Sequence, residues 1–278
     1  MPELPEVETI ARNLRIGNQD QPALVGRHIL GANLLWERTL AEPSPAEFSL
    51  RMVGQVIETV GRRGKFLNFQ LTRDWLLFHL RMSGDLQVRP ADIPPASHDR
   101  LVLKLEGDIQ LAFNDTRKFG RVWLVDEVDR VVGDLGPEPL DEGFTAGVFF
   151  AHLHVTRRQL KPLLLDQTFL AGLGNIYADE ALNLAKLHPL TPSNTLTEAQ
   201  AAKLLEGIRT VLQDGILRNG ASIDWVYRGG DFQNYFRVYQ RTGEPCPECG
   251  TLIARIIVGQ RGTHFCPHCQ PAYFLDGG

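Results

Sequence analysis

At 278 residues the chain is long for a single hydrophobic core, so two domains, or two with a small module, are expected. Its composition, 43% hydrophobic and 22% charged, is that of an ordinary globular protein, and no apolar run approaches the length that crosses a bilayer. The formal net charge of −4 hides a segregation: residues 51–121 hold twelve Lys/Arg against eight Asp/Glu, and residues 122–142 hold one against seven. A basic surface on one lobe is therefore compatible with an acidic sum, and charge alone neither favours nor excludes nucleic acid.

The first eight residues are acidic and contain no apolar core segment, which excludes a secretory signal and makes the cytoplasm the expected compartment. Pro5 to about Ile16 reads as a helix, with proline in the permitted first turn and Glu6 and Glu8 complementing the dipole. From about 24 to 125 the pattern is of strands. Leu67, Phe69 and Leu71 alternate with Phe66, Asn68 and Gln70, and Leu101–Leu105 and Ile109–Phe113 flank a tight Glu106-Gly107-Asp108 turn. A β-sandwich carrying a helix is the expected architecture here. The acidic stretch 126–145 contains Gly136-Pro137-Glu138-Pro139, which continues neither a helix nor a central strand, and reads as a connector.

Residues 146 to about 219 read as helices. Gly172-Leu173-Gly174-Asn175 precedes the helical run Ile176–Lys186; a glycine turn feeding a helix N-terminus can seat a phosphate, but read locally it is a plain interhelical turn with Asn175 as N-cap. Thr197-x-x-Gln200 is a capping box opening a helix toward Arg218, with Gly220 as its stop. All four cysteines lie at the C-terminal end, Cys246, Cys249, Cys266 and Cys269, in the pattern C-x2-C-x16-C-x2-C. Two thiolate knuckles across a hairpin-length spacer suit one tetrahedral, structural zinc; two disulfides are the competing reading, disfavoured without a secretion signal. The expected domains are 1–125, a connector 126–145, 146–235 and 236–278.

Met1-Pro2-Glu3-Leu4-Pro5-Glu6-Val7-Glu8-Thr9, Arg63-Gly64-Lys65, His79-Leu80-Arg81-Met82-Ser83-Gly84, Asp115-Thr116-Arg117-Lys118-Phe119-Gly120, Gly136-Pro137-Glu138-Pro139-Leu140, Gly174-Asn175-Ile176-Tyr177-Ala178 and the cysteine quartet occur in one order along the chain. Together they closely resemble bacterial formamidopyrimidine-DNA glycosylase, over essentially the whole length. The resemblance implies an α+β fold: an N-terminal β-sandwich with flanking helices, a helix–two-turn–helix domain and a C-terminal zinc-finger β-hairpin, with damaged double-stranded DNA lying across the cleft between them. It implies a monomer that removes oxidised purines, formamidopyrimidines and 8-oxoguanine among them, and then cleaves the strand by β,δ-elimination.

The chemistry accounts for the N-terminus. An α-amino group has a reference pKa of about 8 against about 10.4 for lysine, so far more of it is neutral and nucleophilic at pH 7. Pro2, once Met1 is removed, would attack the sugar C1′ and form an iminium, an electron sink for the eliminations. By resemblance Glu3 is the general acid at the ring oxygen, Lys65 contacts the lesion phosphate and assists elimination, and Arg261 of the finger holds that phosphate. The damaged nucleotide must leave the stack, and the resemblance assigns the vacated space to Met82, Arg117 and Phe119. Phe119 stacks and Arg117 donates to the orphaned base. His98, Arg157, Lys161 and Asn175 match positions that contact DNA.

Two departures stand out. Segment 221–232 is shorter than the family loop that closes over a flipped 8-oxoguanine, and Gln240 stands where glycine is frequent. The competing enzyme class is the endonuclease VIII type, specific for oxidised pyrimidines, against which Leu4 and Val7-Glu8-Thr9 argue. A non-catalytic zinc-finger DNA-binding protein is the alternative of a different kind.

Overall fold

The computed structural model describes residues 1–222 and 229–272. One compact unit is built on Met1–Asp134, the other on Leu135–Ala221 and the chain from Gly230.

The first unit opens with α1 (Leu4–Ile16), whose apolar side buries Leu4, Val7, Ile10, Ala11 and Leu14. Strands follow in chain order as β1 (Ile29–Leu34), β2 (Leu40–Glu42), β3 (Ile57–Arg63), β4 (Phe66–Leu71), β5 (Trp75–His79), β6 (Gly84–Pro90), β7 (Asp99–Leu105), β8 (Ile109–Asp115) and β9 (Arg121–Val125). They form a four-stranded sheet, β1-β7-β8-β6, and a five-stranded sheet, β2-β9-β5-β4-β3. Every neighbouring pair is antiparallel except β2–β9. The alternation read in 66–71 is realised: Leu67, Phe69 and Leu71 point into the core while their neighbours are half-buried. Phe69, Phe78 and Phe113 meet edge to face with centroids 5.5 Å apart, joining the two sheets at the centre of one core.

A helix interrupts the strand region where only strands were expected, α2 (Pro45–Met52). Its signal is local and was present in the sequence: Ser44 caps the N-terminus by accepting from the Glu47 N–H at 3.4 Å, and Pro45 opens the first turn. The acidic connector also holds a single helical turn, α3 (Asp129–Val132).

The second unit contains α4 (Ala146–His154), α5 (Leu160–Leu164), α6 (Asn175–Leu184) and α7 (Glu198–Leu217). Both halves of the Thr197/Gln200 capping box form. Arg209 of α7 donates to the carbonyls of Pro139, Asp141 and Phe144 at 2.7–2.9 Å, fixing the proline-rich connector to the helices. Strands β10 (Ala254–Val258) and β11 (Arg261–Phe265) complete the unit as an antiparallel hairpin. Gln240 adopts φ +58°; this left-handed conformation explains why glycine suits the position. No described helix is long and apolar enough to cross a membrane.

Candidate functional site

In the first unit Pro2 is buried and Glu3 is 3% exposed, immediately before α1. Glu3 is the N-cap, and the Glu6 carboxylate accepts from its backbone N–H at 2.8 Å. Two side chains set the direction of the helix on the sheet: Arg15 donates to the Val60 carbonyl at 2.9 Å, and Arg62 to Glu8 at 2.9 Å. Stepping back along α1 therefore follows β3 forward, so the N-terminal end is directed toward the turn between β3 and β4. That turn is Gly64-Lys65, between paired Arg63 and Phe66, and Lys65 is 5% exposed. His79 pairs with Phe66 across β4–β5 and packs its ring edge to face at 4.7 Å. Burial, together with the positive charges of Arg81 and Lys65, lowers His79 to about 3 and keeps it neutral. Its Nδ1 accepts from the Arg81 N–H at 3.1 Å.

Met82, Arg117 and Phe119 come from two separate loops and meet. Arg117 Nη1 lies 3.8 Å from the Met82 sulfur, and its guanidinium lies 5.0 Å from the Phe119 ring centroid. Met82 is 39% and Phe119 52% exposed, so these are not core residues. Gly84 and Gly120 allow the loops this close to the core: a Cβ at Gly120 would fall 2.4 Å from the Phe113 ring, and one at Gly84 would fall 2.5 Å from the Leu80 carbonyl oxygen. His98 is exposed nearby in chain, and its carbonyl accepts the Asp115 N–H at 2.9 Å. Beside Ser83 and Thr116 opens a cavity of about 660 Å³, lined also by Asn13, Asp85, Gln87 and Asn114. Burial pushes the Asp85 carboxyl up.

In the second unit the residue before α6, Gly174, is the N-cap, and Asn175 is the first helical residue rather than the cap expected from sequence. Its side chain has another task, donating to the Gly262 carbonyl at 3.0 Å. Arg261 stands at the tip of the β10–β11 hairpin, exposed, directly after Gly259-Gln260, both with positive φ as a two-residue hairpin turn requires. Arg157 is exposed between α4 and α5.

Lys161 corrects the expectation of a direct DNA contact. It is 0% exposed, and its ammonium donates to Asp179 at 2.6 Å and to the Asn175 carbonyl at 2.9 Å. A lysine committed inside the fold positions α6; it does not present its charge to a phosphate.

Sequence reading missed the buried polar face of α6. Asp179 accepts from His264 N–H at 2.9 Å, Glu180 accepts from the N–H groups of Arg237, Val238 and Tyr239 at 2.8–3.0 Å, and Asn183 donates to Gln270 at 2.9 Å. Residues 175, 179, 180 and 183 recur at helical spacing, a stripe that would normally be apolar. The available signal was a polar stripe in a helix otherwise rich in Ala, Ile and Leu.

The four cysteine sulfurs lie within 4.8 Å of one another. Four ligands at a zinc–sulfur distance of about 2.3 Å stand about 3.8 Å apart in a tetrahedron, so the quartet fits one zinc ion. Hydrogen bonds from Thr251 hold Cys249 down to about 6, whereas burial and the neighbouring sulfurs push Cys269 up to about 12. No other cluster of three or more metal-ligating groups occurs among the described residues. The cysteines are a structural site for one zinc.

Three family models match the chain in succession: formamidopyrimidine-DNA glycosylase N-terminal domain at residues 1–122, formamidopyrimidine-DNA glycosylase H2TH domain at 135–226, and the zinc finger found in FPG and IleRS at 243–272. The formamidopyrimidine-DNA glycosylase of Chloroflexus aggregans is 48% identical over 278 residues, covering 97% of this chain and 98% of that protein. This chain belongs to the formamidopyrimidine-DNA glycosylase family. The Protochlamydia amoebophila glycosylase is 44% identical, covering 97% and 99%. Among solved structures, the Lactococcus lactis Fpg in complex with an abasic site containing DNA has a TM-score of 0.89 at 39% identity, covering 97% of this chain and 100% of that one. A mutant of the same L. lactis protein in complex with a Fapy-dG containing DNA has a TM-score of 0.89 at 38% identity, covering 98% and 100%. As a member of this family the chain is an α+β zinc-finger enzyme of base-excision repair, a DNA glycosylase with abasic-site lyase activity.

Proposed function

We propose that this formamidopyrimidine-DNA glycosylase excises oxidised purines, formamidopyrimidines and 8-oxoguanine, from damaged duplex DNA through the secondary amine of Pro2, freed by removal of Met1. The carrying observation is the placement of Pro2-Glu3: buried, at the N-terminal end of a helix directed toward the Gly64-Lys65 turn. The solved L. lactis complexes with Fapy-dG and abasic-site DNA support the substrate class.

The Pro2 nitrogen lone pair attacks C1′ as the N-glycosidic bond breaks, and the base leaves with a proton. Glu3 protonates the ring oxygen, the sugar opens, and the nitrogen becomes an iminium. Loss of a proton from C2′ expels the 3′ phosphate, and the second elimination expels the 5′ phosphate. Water then releases the sugar remnant and restores the amine. Lys65 contacts the lesion phosphate and assists elimination, and Arg261 acts in the second elimination. Neutral His79 adds no charge beside Lys65 and offers Nε2–H as a fixed donor. Met82, Arg117 and Phe119 fill the space left by the everted nucleotide, Arg117 reading the orphaned base. The cavity lined by Asn13, Asp85, Gln87 and Asn114 supplies donors and acceptors suited to a base edge. His98, Arg157 and Asn175 contact the backbone. The enzyme acts as a monomer in the cytoplasm.

Incubation with an abasic duplex and borohydride tests this reading. The reduced adduct should map to residue 2, and an N-terminal extension that converts the amine to an amide should abolish it. An adduct on Lys65, or efficient trapping by the extended protein, overturns it. Glu3→Gln should impair base removal far more than cleavage of a preformed abasic site, because only the first reaction requires departure of the base.

A further inference from the structure

The two loops that carry Met82 and Arg117–Phe119 are separate in sequence, yet one buried carboxylate fastens both. Asp115 is 0% exposed at the end of β8, where it pairs with Gly84, the first residue of β6. Its Oδ2 accepts the Gly120 N–H at 2.7 Å and its Oδ1 the Arg117 N–H at 3.2 Å, closing the turn on both sides of Lys118 and Phe119. Ser83, 3% exposed and next to Met82, donates its hydroxyl to Asp115 Oδ1 and accepts the same Arg117 N–H at 3.1 Å. The Asp115 main chain is also held: its N–H donates to the His98 carbonyl at 2.9 Å, and its carbonyl accepts from Arg100 Nε at 2.8 Å.

We propose that Ser83 and Asp115 are positioning residues that lock the Met82 loop and the Arg117–Phe119 turn into one rigid wedge, and thereby set opposite-base discrimination. The inference rests on the reading of Met82, Arg117 and Phe119 as the residues that replace the everted nucleotide. Each loop contains a non-glycine residue in the left-handed region, Arg81 at φ +54° and Lys118 at φ +60°. That conformation is disfavoured for L-residues and persists where its surroundings over-determine it. The Ser83 hydroxyl is the polar bridge from one loop to the other: it reaches the carboxylate and the Arg117 amide together. Without it, the Arg117–Phe119 turn keeps its own two bonds to Asp115, but the buried hydroxyl link is lost and the exposed Arg117 Nη1–Met82 sulfur contact at 3.8 Å is left to hold Met82 to that turn. Arg117 then has to read a partner base from a turn whose neighbour can drift, and a displacement of an ångström at a reading group is costly.

Single-turnover excision by Ser83→Ala, with lesion:C and lesion:A duplexes, tests the proposal. The expected result is a loss of C-over-A preference and a slowing on duplex by roughly three- to tenfold, the size of coupling found between contacting residues. Borohydride trapping on single-stranded abasic DNA, which needs neither eversion nor a partner base, should be unchanged. Ser83→Thr keeps the hydroxyl and should restore discrimination. In an Arg117→Ala background, Ser83→Ala should cause no further loss of preference. Asp115→Asn should be more severe; if it does not fold, Ser83→Ala still decides. Unchanged discrimination in Ser83→Ala, or equal slowing on duplex and single strand, overturns the proposal. If Arg117→Ala itself leaves discrimination intact, the wedge reading has failed and this inference falls with it. If Arg117→Ala loses discrimination and Ser83→Ala does not, the clamp alone is wrong.

Discussion

The side-chain amide of Asn175, in the first turn of α6, donates to the Gly262 carbonyl at 3.0 Å, one residue beyond Arg261 at the hairpin tip. A helix terminus and a finger hairpin 87 residues apart in sequence are thereby fastened. Asn175→Ala should speed amide exchange at Gln260–Gly262 in the free protein, consistent with losing a hydrogen bond worth about 1 kcal/mol. Unchanged exchange in the free protein, with affinity lost, would show that Asn175 acts only on DNA.

Lys161 and Asp179 form a fully buried ion pair at 2.6 Å, with both side chains 0% exposed. Removing one partner leaves a buried charge uncompensated, and Lys161→Met should cost roughly 3–5 kcal/mol in urea unfolding. A surface phosphate contact would give the opposite pattern, unchanged stability with a shallower salt dependence of DNA binding.

Zinc removal should act locally. Cys249→Ser should lose the metal and weaken DNA binding, while near-UV signals of the β-sandwich and its unfolding transition stay in place, since that unit has its own core. Metal analysis on purified protein reads the first effect. An active, metal-free wild type would contradict the structural role.

His79 gives a pH dependence of defined sign. Its ordinary value of 6.5 falls to about 3 on folding, because burial and then the charges of Arg81 and Lys65 oppose protonation. Between pH 6.5 and 3 the unfolded chain binds a proton there that the folded chain does not, so stability should fall as pH falls through that window. His79→Gln should flatten the decline between pH 6.5 and 5, measured by denaturant unfolding at each pH. A slope identical to wild type would remove His79 as its source.

Arg117→Ala and Phe119→Ala should separate recognition from gap filling. The first should reduce the preference for lesion:C over lesion:A by about 1–3 kcal/mol, the range for a good side chain–base pairing. The second should slow excision opposite every partner. The reverse pattern would exchange the two roles.

Much of the architecture was legible because local rules operate over a few residues. The alternation Leu67-Phe69-Leu71, the Glu106-Gly107-Asp108 turn, the Thr197/Gln200 box and the cysteine spacing each carry their own physical cause within a short window. α2 was legible too, in Ser44 and Pro45, but a strand-rich neighbourhood masked it. The comparison of segment 221–232 with the longer family loop rests in half on residues 223–228, which lie outside the described residues.

The sequence by itself determined most of the element types and the zinc ligands, since propensity, capping and ligand spacing are properties of adjacent residues, while the chemistry at Pro2 and Glu3 was legible through the family resemblance of the motifs. Tertiary structure decided what those residues face. It buried Lys161 against Asp179 and turned Asn175 from a cap into a tie to Gly262. It made a polar stripe of α6 the seat of the finger, and brought Ser83 and Arg117 onto the Asp115 carboxylate. Burial and hydrogen-bond partnership depend on groups tens of residues apart, brought together only when the sheets pair and the helices pack, and no local pattern encodes them.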